Sequence, residues 1–188
     1  MKPDSKPRRR LLQTAGAMAL ATPVAAAADG PSAPARTPGK PGDFDFLTGQ
    51  WKIAHRQRRA GRTEWDQFNG EATCWSILGG VCHIEELRIP ARNFSGMGLR
   101  LLDIENRLWR DHWVNAKGGV IGVPGMPGSF ENGAGIFEAD DEDQGQPIKV
   151  RGVWDRITPV SCRWHQAVSR DGGRSWDANW WMEWTREG

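Results

Sequence analysis

The chain has 188 residues, with 25 Lys and Arg against 23 Asp and Glu, three Cys, no Tyr and eleven Trp. That length suits one compact domain, and 38% apolar against 26% charged residues excludes wholesale disorder. The sequence has no apolar run of about eighteen residues, which excludes a polytopic helical membrane protein, and three Cys are too few for a disulfide-built miniature scaffold.

The N-terminus reads as an address. Residues 1–28 hold five basic groups, Lys2, Lys6, Arg8, Arg9 and Arg10, and one acid, Asp4. The remainder carries 20 basic and 22 acidic groups, a net −2, which offers no general pull on nucleic acid or anionic lipid. Arg8-Arg9-Arg10-Leu11-Leu12-Gln13 opens an uncharged stretch that ends in Ala25-Ala26-Ala27-Ala28. A basic head, a short apolar middle and a small-residue cleavage site define a secretory signal peptide, and paired Arg ahead of two Leu resemble a twin-arginine signal. The expectation is cleavage near Ala27 or Ala28, a periplasmic or secreted product, and no membrane insertion afterwards. Residues 29–43 carry four Pro and three Gly and read as a flexible spacer, placing the folded domain at 44–188.

From Phe44 onward, Gly and Asp/Asn clusters separate short runs that alternate with period two. Trp51, Ile53, His55 and Gln57 share one face of the first run. Trp65–Trp75 follows, then the turn Leu78-Gly79-Gly80 into Val81–Ile89. Met97–Leu102 and Trp109–Asn115 are the next two. Asn132-Gly133 is a hairpin signal between two short runs. Asp140-Asp141-Glu142-Asp143 reads as a solvated loop. Ile148–Asp155 comes next, and Arg163–Ser169 and Trp176–Arg186 flank the turn Arg170-Asp171-Gly172-Gly173. In the last run, Trp176, Ala178, Trp180, Met182 and Trp184 are expected on the buried face, with Asp177, Asn179, Trp181, Glu183 and Thr185 opposite. Nine or ten strands with tight turns and no internal repeat predict an all-β, antiparallel, up-and-down barrel, since closure removes exposed edges.

Phe44-Asp45-Phe46-Leu47-Thr48-Gly49-Gln50-Trp51, Leu78-Gly79-Gly80, Leu99-Arg100-Leu101-Leu102-Asp103, Trp109 with Trp113, and the string Trp164-His165-Gln166-Ala167-x-Ser169-x-Asp171-Gly172-Gly173-x-x-Trp176 with Asn179-Trp180 carry a resemblance. They are similar to a group of bacterial, often exported domain-of-unknown-function proteins with a calycin-like (lipocalin-type) barrel. The resemblance spans about residues 43–186. It implies a secreted barrel and supplies no catalytic residues; distant calycin relatives include lipid carriers and haem-binding nitrobindins, which implies a ligand cavity.

The residues themselves leave several chemistries to weigh. His55, His83, His112 and His165 fall on four different strands without short-range ligand spacing, so a metal or haem site needs the fold to gather them. Alternation puts His55 beside Trp51 in the core, and His112 and His165 opposite their Trp neighbours. Cys74 and Cys82 lie four residues either side of Leu78, so a turn centred there would set them face to face as a disulfide; two buried thiols are the alternative. Cys162 has no local partner, and His165 points the other way. Of Glu85 and Glu86 one enters the barrel, where Arg100 or Arg151 would pair with it, and Glu183 would be the second acid of any carboxylate pair. The Trp set either fills the lumen or leaves some rings lining an open cavity that stacks on a flat or apolar ligand. The ligand-binding candidates are Trp51, His55, Glu85, Arg100, Trp113, Trp154, Trp164, Gln166 and Asn179, for a small hydrophobic or aromatic partner. The sequence names no cofactor, metal set or catalytic constellation. An enzyme using a lumenal Glu or His and a haem- or metal-binding barrel are the other two readings.

Overall fold

A computed structural model describes residues 37–59 and 62–188. The export signal read over 1–28 and the start of the spacer lie outside the described residues. Ten strands follow one another: β1 (Gly49–Gln57), β2 (Asp66–Ile77), β3 (Cys82–Ile89), β4 (Phe94–Asp103), β5 (Leu108–Asn115), β6 (Met126–Glu131), β7 (Ala134–Asp143), β8 (Gln146–Asp155), β9 (Ser161–Ser169) and β10 (Asp177–Arg186). Each pairs antiparallel with its chain neighbours, and β1 pairs with β10 from Trp51↔Arg186 to Gln57↔Trp180, closing the barrel. The structure is the all-β up-and-down barrel that the alternation predicts.

Ten strands enclose a wider lumen than eight, so large side chains are needed to fill it. Trp51, Trp109, Trp154 and Trp184 are fully buried and pack one half of the interior. That half is sealed by the segment before β1. Phe44 and Leu47, flanking and ending the 3-10 turn Asp45–Leu47, are 1% and 0% exposed, and Phe44 sits against Trp109, Phe130 and Phe137. Trp51 Nε1 donates to the Leu47 carbonyl at 2.7 Å, and Arg186 Nη2 donates to that of Phe46 at 2.7 Å. The last part of the stretch read as a spacer also belongs to this seal. Gly39 N donates to Arg107 O, Gly42 N to Gly80 O, and Trp109 Nε1 to Asp43. Glycine at 39 is required because a Cβ would fall 2.9 Å from the Trp109 ring.

Three local registers differ from the sequence reading. The β2–β3 hairpin turns through a 3-10 turn, Leu78–Gly80, so Cys74 pairs with Glu85 and Cys82 with Ile77. The centre lies between Gly79 and Gly80, which sends the two cysteines to opposite faces of the sheet. The face-to-face disulfide is therefore corrected to buried free thiols, as is Cys162. The acidic run Asp140–Asp143 is the end of β7, joined to β8 through Gln144 and Gly145, whose φ of +53° and +80° fit a tight two-residue turn. Asp140 there accepts a bond from Lys149 at 2.7 Å. In β10 a bulge falls between Ala178 and Trp180, both paired to consecutive β9 residues. Asn179 is the extra residue, so alternation across residues 176–184 breaks and Asn179 joins the inner face.

Candidate functional site

The polar interior is built on β3, β4 and β5. Register pairs Arg100 with His83 on one side and Asp111 on the other, and Glu85 lies two residues along β3 from His83. Arg100 Nη2 donates to Glu85 Oε2 at 2.6 Å, Nη1 to His83 Nδ1 at 3.3 Å, and Nε lies 3.5 Å from Asp111 Oδ1 without a hydrogen bond. Its guanidinium carbon is 5.1 Å and 5.2 Å from the ring centroids of Phe44 and Trp154. Burial works against the charge on Arg100; Asp111 and Glu85 outweigh it and hold its pKa above the ordinary value. Burial pushes Asp111 up, with Glu85 adding to that and Arg100 opposing it. The same burial, helped by Arg100, lowers His83 to about 2, so it is neutral.

Nearer the opposite end, His55 lies over Gly70, stacked on Phe68 with centroids 4.6 Å apart and planes 9° apart. Its Nδ1 accepts from Trp180 Nε1 at 3.2 Å, which places the neutral ring's proton on Nε2, an atom left buried without a partner. Burial, then the charge of Arg92, lowers its pKa to about 4. Arg92 lies over the other face of Phe68 at 3.3 Å and bonds Gln57 and Asp66, closing the β1–β2 side of this end.

The remaining side is less completely covered. Trp113, Trp164, Trp180, Gln166 and Asn179 point inward by register yet are only part-buried. Gln166 Nε2 donates to Asn179 Oδ1 at 3.1 Å. Trp113 stacks near Phe94 and occupies the space above Gly96. Met126, opposite Asp111 on β6, completes this wall.

The sequence candidates therefore divide. Trp51 and Trp154 belong to the packed half, and Glu85 and Arg100 form a buried ion pair behind it. His55, Trp113, Trp164, Gln166 and Asn179 come together around the open half. Asp111, Trp180 and Met126 join them without having been singled out. For Asp111 the signal was present: it lies two residues from both Trp109 and Trp113, so one period-two face carries all three. Glu183 and Arg151 face outward, where Arg151 pairs with Glu138 and covers Trp176. His112 is outward too, bonding the Gly122 carbonyl, and His165 stacks on Trp181 outside. Among the described residues no three His, Cys, Asp or Glu side chains group as metal ligands.

Two hollows lie outside the lumen. One, of about 570 Å³, sits at the rim between Pro90, Asn93 and Lys117; the other, of about 350 Å³, lies on the outer wall beside Ala54, Arg56 and Trp181.

No family model and no curated protein matches this chain. Among solved structures it is similar to a redesigned beta barrel, with a TM-score of 0.43 and 10% identity over 80% of this chain and 99% of that one.

Proposed function

We propose that this chain is an exported, lipocalin-like barrel that binds a small apolar or aromatic molecule in the open half of its lumen. One observation carries the reading: Trp113, Trp164 and Trp180 point into the barrel and stay accessible, while the opposite half is packed solid. An indole ring that points inward and is only partly covered has apolar surface left to bury, worth about 25 cal/mol per Å² against a ligand. The Gln166–Asn179 amide pair supplies the few polar groups that orient such a guest. The export signal at the N-terminus supports a periplasmic or secreted setting.

The enzymatic reading has less support. Glu85 is tied to Arg100, and His55 is held neutral with its acceptor nitrogen occupied by Trp180. A haem iron does not fit His55 either, because Nε2 lies against the Gly70 backbone.

The test is a titration with indole followed through the tryptophan Nε1–H resonances. Shifts confined to Trp113, Trp164 and Trp180, with Trp51, Trp154 and Trp184 unmoved, support the reading. Shifts confined to Trp181 or Trp65 on the outside, or none at all, overturn it.

A further inference from the structure

We infer that the ligand of the open half-lumen carries a cationic amine, seated against Asp111 with its apolar part among the Trp rings. The inference rests on the lumenal binding proposed above and names the chemical class of the ligand.

Charge is unevenly matched in this cluster. One guanidinium serves two carboxylates: Glu85 takes the short bond, 2.6 Å to Nη2, while Asp111 stands 3.5 Å from Nε with no hydrogen bond from it. Arg100 thus balances one acid; ionising Asp111 as well gives the cluster a net negative charge that a bound cation would neutralise. The two buried histidines do not offset it, since burial keeps both His55 and His83 neutral. Buried ionic groups of this kind are retained by partners, and a half-partnered acid in a protein interior is an unusual arrangement.

Access comes next. Side-chain exposure is 5% for Arg100 and 4% for Glu85 but 21% for Asp111. The acid with the unmet bonding capacity is therefore also the member of the cluster that a guest can touch. Its position is set by β5, where it shares the inner face with Trp113, two residues on, and faces Met126 across the β5–β6 pair.

The surroundings select the guest. An aromatic face attracts a cation, and a carboxylate gives an ammonium N–H its strongest kind of hydrogen bond. Part-exposed Trp rings with one under-paired carboxylate suit an apolar or aromatic amine. The same residual charge repels a carboxylate ligand.

The experiment uses three probes sharing one ring: tryptamine, indole and indole-3-acetate, titrated into the whole mature domain by calorimetry and by the tryptophan Nε1–H shifts. Tryptamine is expected to bind at least about tenfold more tightly than indole, and indole-3-acetate more weakly than indole. In Asp111→Asn the preference for tryptamine over indole should fall to about one. Equal binding of indole and tryptamine in the parent protein overturns the inference while leaving lumenal binding intact; so does a preference that persists in Asp111→Asn. If none of the three moves the Trp113, Trp164 and Trp180 signals, the lumenal reading itself fails and this inference with it. The charge series in the parent protein decides the matter even if the variant folds poorly.

Discussion

Arg100 and Glu85 form a 2.6 Å ion pair with 5% and 4% of their side chains exposed, inside a box that includes Phe44 and Trp154. Removing one partner of a buried pair leaves a charge without compensation, which typically costs about 3–5 kcal/mol. Arg100→Met should be the worst single change here, because it strands Glu85 and Asp111 together. Replacing all three as Arg100→Met, Glu85→Gln and Asp111→Asn should recover much of that loss, since no buried charge remains. Urea unfolding of the single and triple variants compares them, and a triple variant no more stable than Arg100→Met would contradict this account.

His55 sets part of the acid limit of stability. Burial and Arg92 lower its pKa from 6.5 to about 4. The unfolded chain takes up this proton below about 6.5, while the folded barrel refuses it until about 4, so the contribution is present above 6.5 and lost as pH falls through that window. A shift of this size corresponds to roughly 3 kcal/mol. His55→Phe keeps the stack on Phe68 and removes the titration. Urea midpoints measured from about pH 7 down to about pH 4 should fall less steeply for the variant; parallel curves for the two proteins would rule His55 out.

Much of this arrangement is legible in the amino-acid sequence. Strict alternation places Trp51, Ile53 and His55 inside, sends His112 and His165 outside, and makes one of Glu85 and Glu86 lumenal with Arg100 or Arg151 as its partner; Glu85 pairs with Arg100, while Arg151 lies outside on Glu138. Period two is a geometric property of a strand, so it holds wherever the strand is regular. It failed where one residue is added. The bulge at Asn179 shifts the face of everything before it in β10, and the 3-10 turn at Leu78–Gly80 moves the β2–β3 register enough to part Cys74 from Cys82. Neither is written in composition. Which of the inward Trp rings stay accessible is likewise beyond alternation, because it depends on where Phe44 and Leu47 plug the barrel.

The cysteines give a direct chemical check. Cys74, Cys82 and Cys162 are free and buried, and burial raises all three thiols, Cys162 to about 12. The thiolate is the reactive form, so the native barrel should resist a thiol reagent at neutral pH, and all three residues should react once it is unfolded. Mass measured before and after reduction should be the same. A gain of two hydrogens on reduction would restore a disulfide and displace the β2–β3 register described above.

Gly96 is the seat of Trp113, and filling it should reach both stability and binding. A Cβ there would fall 2.3 Å from Cζ2 of Trp113 and 2.8 Å from the Val114 carbonyl. A ring wedged against Phe94 and a strand carbonyl yield little, so Gly96→Ala should cost about 1–3 kcal/mol by overpacking. The neighbouring Gly98 is the control: its Cβ would meet Arg100 Nη2 at 3.2 Å, a contact that a few tenths of an ångström relieve. Gly98→Ala should therefore be the milder change by urea unfolding. Since Trp113 must move toward the open half in Gly96→Ala, indole should bind that variant more weakly than it binds Gly98→Ala. If the two variants rank the other way in both measurements, Trp113 is not held in place by the missing Cβ beneath it.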